Sequence, residues 1–512
     1  MLTVRHLRFI QGRLARLASA RTRIAPRRYW HIPDPFGLPL PRRSLLRGAA
    51  GGAVVAGAVL AGCSRTSGST VAATPTGAKH RIHLFMLADT DSLVKSRTVQ
   101  RLLQEAVNPF LRANPDLDVK VGFMQGNSVI PSIIAGTGPD VISDWYAAPY
   151  WEQNLLLKLD PFLKQDNIST SVWSKGQWDV MNRPFGVFML PAYFSPMVYA
   201  VNLSLFDRAG LSYPDPNWTH REFARVCTDL TVHSAKLNRV GAGFGFHAGT
   251  IGGESWVFQA FGGSQMNSAG TQSTLSSHGS VAAGTWMYET LFWPKICTSR
   301  NRAGATYGPY SFLSGRSAMA VIWDGIVLNL AAAVRSSFKW RIYPNPIFPS
   351  GRFTQGTEDF YGINAQTKHP QESWRLLKWL SYERTWQSTL MRIGAVPPAR
   401  NDLWSEWISI VEQVAPPLRH SGLSWLRDGA VKGYAIPGAY YRYQDTAIRS
   451  IVAPWIQKLW NHSIDVPGAF AQADRQANAL LNQPPPPPPP TAKQRIAARR
   501  QSRTRMENMF AQ

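Results

Sequence analysis

From residue 81 onward, short apolar runs alternate with stretches whose apolar positions recur at helical spacing, the pattern of an α/β protein. Ile82–Leu87 reads as a strand. Val99–Asn114 reads as one helix with Leu102, Leu103, Ala106, Val107 and Phe110 on its apolar face, stopped by Pro115. Asp118–Phe123 reads as the next strand. A Gly/Pro turn at Gly136–Pro139 then leads into a short apolar strand through Ile142, followed by Ser143, Asp144, Trp145 and Tyr146. Further on, Thr219 and Glu222 form a capping box ahead of the stripe Phe223, Val226, Cys227, Leu230. Sites in open α/β sheets lie at the carboxyl ends of strands. That rule singles out Asp89, just past Leu87, and Trp145 with Tyr146, just past Ile142. No internal repeat is visible.

Length changes this picture first. A chain of 512 residues exceeds what one core usually organises, so two lobes are expected. Net charge, formally +24, points at first to nucleic acid. Its placement argues against that. Residues 1–62 carry eleven Arg and one acid, residues 484–512 carry six Lys/Arg and one acid, and the remainder is only +9. No cluster of Lys/Arg interleaved with aromatics occurs in the body, so no nucleic-acid partner is expected. Three cysteines, Cys63, Cys227 and Cys297, are too few for a disulfide framework, and no CxxC or Cys/His spacing points to zinc. Cys227 on its apolar stripe reads as a core thiol, and pairing with Cys297 is left open by the sequence. No cofactor is expected.

The two ends carry their own signals. Arg42-Arg43-Ser44-Leu45-Leu46-Arg47 precedes an uncharged run, Gly48–Gly62, too short for a spanning helix. Residues 1–62 therefore read as a signal peptide with a long basic leader, and its charged start resembles a twin-arginine signal. Leu45 and Arg47 stand where Phe and Lys are commoner in such signals. Leu60-Ala61-Gly62-Cys63 resembles a lipobox, which implies cleavage before Cys63 and a lipid anchor on its thiol. Residues 63–80, rich in Ser, Thr, Gly and Ala, then form a tether to the outer face of the membrane. At the other end, residues 484–512 read as a polyproline spacer and a basic tail.

Several segments, taken in order, resemble the extracellular solute-binding proteins of family 1, the carbohydrate group that includes maltose-binding protein. These are Gly138-Pro139-Asp140-Val141-Ile142 with Leu159-Asp160-Pro161-Phe162, then Val198-Tyr199-Ala200-Val201-Asn202 with Leu205-Phe206-Asp207-Arg208-Ala209-Gly210-Leu211. Pro214, Trp218-Thr219 and Glu222-Phe223 follow, then Phe312–Met319 around Gly315, Lys368–Trp374, and Gly394 with Pro397-Pro398. Their shared order from about residue 81 to 400 carries the resemblance. It implies a two-lobe periplasmic-binding-protein type II fold with a hinge and an interlobe cleft. Lobe 1 is expected to span 81–192 and 358–398, and lobe 2 193–357 and 399–480, with crossings near Pro191–Pro196 and Ile347–Asp359. The family's usual Gly-Gly before the return strand is replaced here by Asp359-Phe360-Tyr361-Gly362, whose larger side chains are expected to reshape the cleft.

The resemblance implies a monomeric binding protein that closes on a carbohydrate and presents it to the transmembrane subunits of an ABC permease. Sugar sites combine stacking aromatics with a few convergent polar groups. The candidate ligand-binding residues are Asp89, Trp145, Tyr146, Tyr193, Trp256, Trp323, Asp324 and Tyr361. Trp374, Trp379 and Trp386 lie on helical stripes and read as packing residues. The rival ligands are other polar solutes, such as a polyamine or glycerol phosphate. The rival class is a secreted glycan-acting enzyme. Against an enzyme, GxSxG, HExxH and Walker A are absent, and Gly241–Gly245 lacks dinucleotide-motif spacing, so no catalytic residues are assigned.

Overall fold

The computed structural model describes residues 80–484 except 88–96, 125, 145–146, 234–237, 244–254, 299–311, 324–326, 328–329, 331–336, 358, 395, 437–440 and 442–444. The expected export signal, the expected tether up to residue 79 and the tail beyond 484 lie outside the described residues. Among the described residues, no helix is long and apolar enough to cross a membrane.

Two mixed sheets organise the chain. The first is built from β1 (His80–Leu87), β2 (Leu117–Met124), β3 (Val141–Asp144), β4 (Met189–Pro191) and the late strand β11 (Phe360–Ile363), in the order β2-β1-β3-β11-β4. The first three are parallel, and β11 runs antiparallel to both β3 and β4. Ile82 and Leu84 of β1 point into the core while His80, Arg81 and His83 face outward, which fixes the register from His80 opposite Leu117 to Leu87 opposite Met124. The second sheet holds β5 (Val198–Asn202), β6 (Val232–His233), β7 (Asn238–Gly243), β8 (Cys297–Thr298), β9 (Ser317–Ile322) and β10 (Trp340–Tyr343). Their order is β8-β7-β9-β5-β10, with β6 on β7. β5 and β9 are buried at every position, the signature of strands covered on both faces.

Helices cover each sheet with their apolar faces. The single helix expected over 99–114 is two, Arg97–Ala106 and Asn108–Ala113, broken at Val107. Pro109 explains the correction, because it has no N–H to donate and its ring would clash with the carbonyl four residues earlier. It is accommodated in the first turn of the second helix. Leu102, Leu103, Ala106, Val107 and Phe110 are nonetheless all buried, as the periodicity requires. The capping box forms as expected. Thr219 Oγ1 accepts from the Glu222 N–H at 3.2 Å, and Glu222 Oε2 accepts from the Thr219 N–H at 2.7 Å. The stripe behind it, Phe223, Val226, Cys227 and Leu230, lies in the core. Cys227 and Cys297 face each other there as free thiols, with sulfurs 3.7 Å apart.

The chain crosses between the two sheets along paired segments. Ala192 donates its N–H to Asp359 (2.9 Å), Thr357 donates to Ser195 (3.2 Å), and Met197 donates to Gln355 (2.8 Å). Ser195 N–H donates in turn to Thr357 Oγ1 at 3.0 Å. Residues 192–197 and 354–359 therefore satisfy part of each other's backbone polar groups where neither belongs to the two main sheets. Thr354–Gln355 also pairs with Ala435–Ile436, so later chain packs against the same crossing.

Gly356 marks the tightest approach in this region. A Cβ built there would stand 2.4 and 2.5 Å from two ring carbons of Phe194, a side chain with no exposed surface. Gly356→Ala is expected to lower stability by about 1–3 kcal/mol through overpacking, read as a reduced melting temperature. Adding Phe194→Leu should recover part of the loss. An unchanged melting temperature in the single variant would show that the crossing yields without strain.

Candidate ligand-binding cleft

The carboxyl end of β3 leads towards the short helix Ala148–Glu152. Asp144, the last residue of β3, is buried and accepts a hydrogen bond from the Tyr150 hydroxyl at 2.5 Å. Burial, followed by the charge of Asp144, holds that phenol far above its ordinary range, so Tyr150 stays a neutral donor. Tyr150 lies on the short helix Ala148–Glu152, whose Pro149 presets the first turn. Trp151 on the same helix packs edge-on against Phe185 and carries the Arg183 guanidinium 5.4 Å above its ring.

Glu152 ends this helix and makes one of the contacts between the lobes. Its Oε1 accepts the backbone N–H of Asp445, the first residue of the long helix Asp445–Trp460 that packs on the second sheet's core. Asp445 is fully buried, accepts the Tyr441 N–H at 2.8 Å, and pairs with Arg449 one turn on. A carboxylate at a helix N-terminus meets the positive end of the helix dipole and an orphan N–H. Burial nevertheless dominates at Glu152. It raises the carboxyl to about 7, with the Asp445 N–H and the Arg449 charge opposing and the Asp445 charge assisting.

The crossing segments are tied to a neighbouring helix. Gln177, buried on the helix Lys175–Met181, donates its amide to the carbonyls of Tyr193 (2.7 Å) and Asp359 (3.2 Å), clamping both crossings with one side chain. Arg352, just before the second crossing, reaches the carbonyls of Asn345 and Pro216 and stacks 5.8 Å over Trp425. Desolvation lowers its pKa, yet it is spent on structural carbonyls.

The residues singled out from sequence fall into three groups. Asp89, Trp145, Tyr146 and Asp324 lie outside the described residues. Tyr193 on the first crossing and Trp323 directly after β9 are half-buried, each packed against a core cluster. Trp256 and Tyr361 are buried within the lobes instead. Trp256 stands edge-on to Phe348 in the second-lobe core, and Tyr361 sits opposite Ser143 with its hydroxyl accepting the Trp386 indole N–H at 2.9 Å. Trp374, Trp379 and Trp386 are packing residues, as their helical spacing indicates. Glu152 and Gln177 tie distant segments together but carry no distinguishing sequence pattern, since their partners are far away in the chain.

With this geometry in place, the comparisons decide the family. The profile of the bacterial extracellular solute-binding proteins matches residues 91–383, more than half of the chain. The chain belongs to this family. No curated protein matches the sequence. Among solved structures, an ABC substrate-binding protein from Listeria monocytogenes in complex with cycloalternan superposes with a TM-score of 0.62 at 19% identity, over 79% of this chain and 99% of that one. The cyclic α-maltosyl-1,6-maltose binding protein of Arthrobacter globiformis gives 0.62 at 14% identity, over 80% and 100%. The maltose/maltodextrin-binding domain of Bdellovibrio bacteriovorus bound to maltotriose gives 0.54 at 15% identity, over 79% and 100%. These similarities establish the two-lobe type II fold of periplasmic binding proteins. The family is one of binding proteins and extracytoplasmic in location.

For a solute-binding protein, the contact between the lobes matters as much as the contact with ligand. Because the folded state holds a proton on Glu152 up to about pH 7 while an unfolded chain releases it in the ordinary carboxyl range, the folded protein is favoured at the acidic side of that window. Stability should fall as pH rises through the window and level off above it. Melting curves of the ligand-free protein across this range should show the slope, and Glu152→Gln should flatten it. Parallel slopes in the two proteins would place the titration elsewhere.

Proposed function

We propose that this protein captures a neutral sugar or oligosaccharide between its two lobes and delivers it to the transmembrane subunits of an ABC importer, without catalysis. The observation that carries the reading is the pairing of the crossing segments, together with half-buried aromatics, Tyr193 on the crossing and Trp323 at the carboxyl end of β9. Half-buried aromatics there offer an apolar face to a sugar ring. Structural relatives in complex with cycloalternan and with maltotriose support the same class.

In this reading Asp89, Trp145, Tyr146 and Asp324 line the cleft beside Trp323 and Tyr193. Trp256 and Tyr361 back it from within the lobes. Residues 81–192 with 358–398 act as one lobe and 193–357 with 399–480 as the other. Export through the signal at residues 1–62, by the twin-arginine route, leaves a monomer held at the outer face of the membrane by lipid on Cys63.

Melting temperatures measured against mono- and oligosaccharides, polyols, polyamines and glycerol phosphates test the reading. A ligand at one hundred times its dissociation constant stabilises the fold by about 2.7 kcal/mol. A shift confined to one sugar class, with Trp323→Ala weakening that ligand by roughly tenfold or more (about 1.4 kcal/mol), is the expected result. A shift with a charged solute alone would overturn the sugar assignment, and consumption of a glycan would overturn the absence of catalysis. Membrane partitioning of the exported protein, lost in Cys63→Ser, tests the anchor; partitioning unchanged in that variant would remove it.

A further inference from the structure

The cleft lies at the carboxyl ends of the first sheet's parallel strands. At their opposite end, three metal-competent side chains converge. His80 is the first residue of β1, while His369 immediately precedes the helix Pro370–Ser381 and Glu372 lies in its first turn. One ligand atom from each lies within 4.8 Å of the other two, with His80 exposed and the others half-buried. The two imidazoles meet edge-on, with ring centroids 5.3 Å apart and planes at 65°.

Both supporting elements are held firmly. His80 donates its backbone N–H to Asp116 at 3.0 Å and begins the ladder with β2. His369 donates its own to Thr367 Oγ1 at 3.1 Å, and that hydroxyl donates to Asp140 at 2.7 Å. The helix is tied down by Trp374 and Lys378, which both reach Asp166. The neighbouring cation, Arg375, is paired with Asp116 at 2.5 Å. Among the described residues nothing donates to the Glu372 carboxylate, so its charge is left for an incoming cation.

We propose that His80, His369 and Glu372 form a three-ligand site for zinc. Two imidazole nitrogens and one carboxylate oxygen are a donor set that zinc accepts, with water in the fourth position. Ligand atoms around a tetrahedral zinc lie about 3.3 Å apart, a contraction that rotation of the exposed His80 ring and the Glu372 side chain supplies. Sequence spacing gave no zinc signal because the first ligand is far along the chain from the other two. The folded structure corrects that reading by bringing the start of β1 against the helix after β11. Zinc at this point clamps the first strand of the fold to a helix of the same lobe, leaving the cleft untouched.

Zinc chloride titrated calorimetrically into the metal-stripped full-length protein tests the site. One saturable equivalent is expected, together with a raised melting temperature. Substituting groups outside the first coordination sphere already costs about ten- to a hundredfold in affinity, so His369→Ala and Glu372→Gln should each weaken zinc by at least about tenfold. Both variants should keep the metal-free melting temperature, and cobalt(II) should give four-coordinate absorption bands only with the three ligands intact. Absence of saturable binding, or affinity unchanged in both variants because other histidines hold the ion, would overturn the site. Sugar affinity, measured with and without zinc, is expected to be equal, so failure here leaves the cleft reading standing.

Discussion

Two strands of chain that belong to neither sheet hold this molecule's halves together. Where residues 192–197 pass 354–359, each segment supplies the hydrogen-bond partners that a sheet would otherwise have supplied. The pairing is short and carries few side chains, with Gly356 pressed onto Phe194 and Gln177 bridging two carbonyls. Such a connection resists separation but leaves rotation about itself inexpensive, because only a few dihedrals change. The lobes, by contrast, are rigid. β5 and β9 are buried along their whole lengths, and tryptophans such as Trp374, Trp386, Trp404 and Trp407 fill the cores.

Rigid halves on a soft connection make the contacts between them decisive. Glu152 and the start of the helix at Asp445 form one such contact, and its carboxyl is held near neutrality by burial against a helix terminus that favours its charge. A binding protein must close on its ligand and open to release it, which requires a small energy gap between the two arrangements. A buried acid balanced between burial and a helix dipole fits that requirement better than an apolar seam, which would favour one arrangement strongly.

The fold was legible where local physics dominates. Strand alternation at Ile82 and Leu84, the capping box at Thr219 and Glu222, and the stripe through Cys227 all appear in the structure as the sequence pattern predicts. The helix break at Val107 was missed because apolar periodicity runs through Pro109 unbroken, whereas the backbone cannot. The site was less legible. Periodicity says which face of an element is apolar but not whether that face meets core or cleft. Trp256 and Tyr361 therefore read as ligand aromatics from their sequence context, yet they are enclosed by their own lobes. Glu152 with Asp445, and His80 with His369, are pairs made by topology alone, and no local pattern announces them.

The claim on which the account rests is that the paired crossing acts as a hinge for ligand capture. Small-angle X-ray scattering of the protein, alone and saturated with the sugar that shifts its melting temperature, tests this most directly. The account predicts a smaller radius of gyration in the saturated sample, with scattering described by the same two lobes rotated toward each other. An identical radius with the sugar fully bound would contradict it, showing that the lobes hold one arrangement and that capture proceeds without closure.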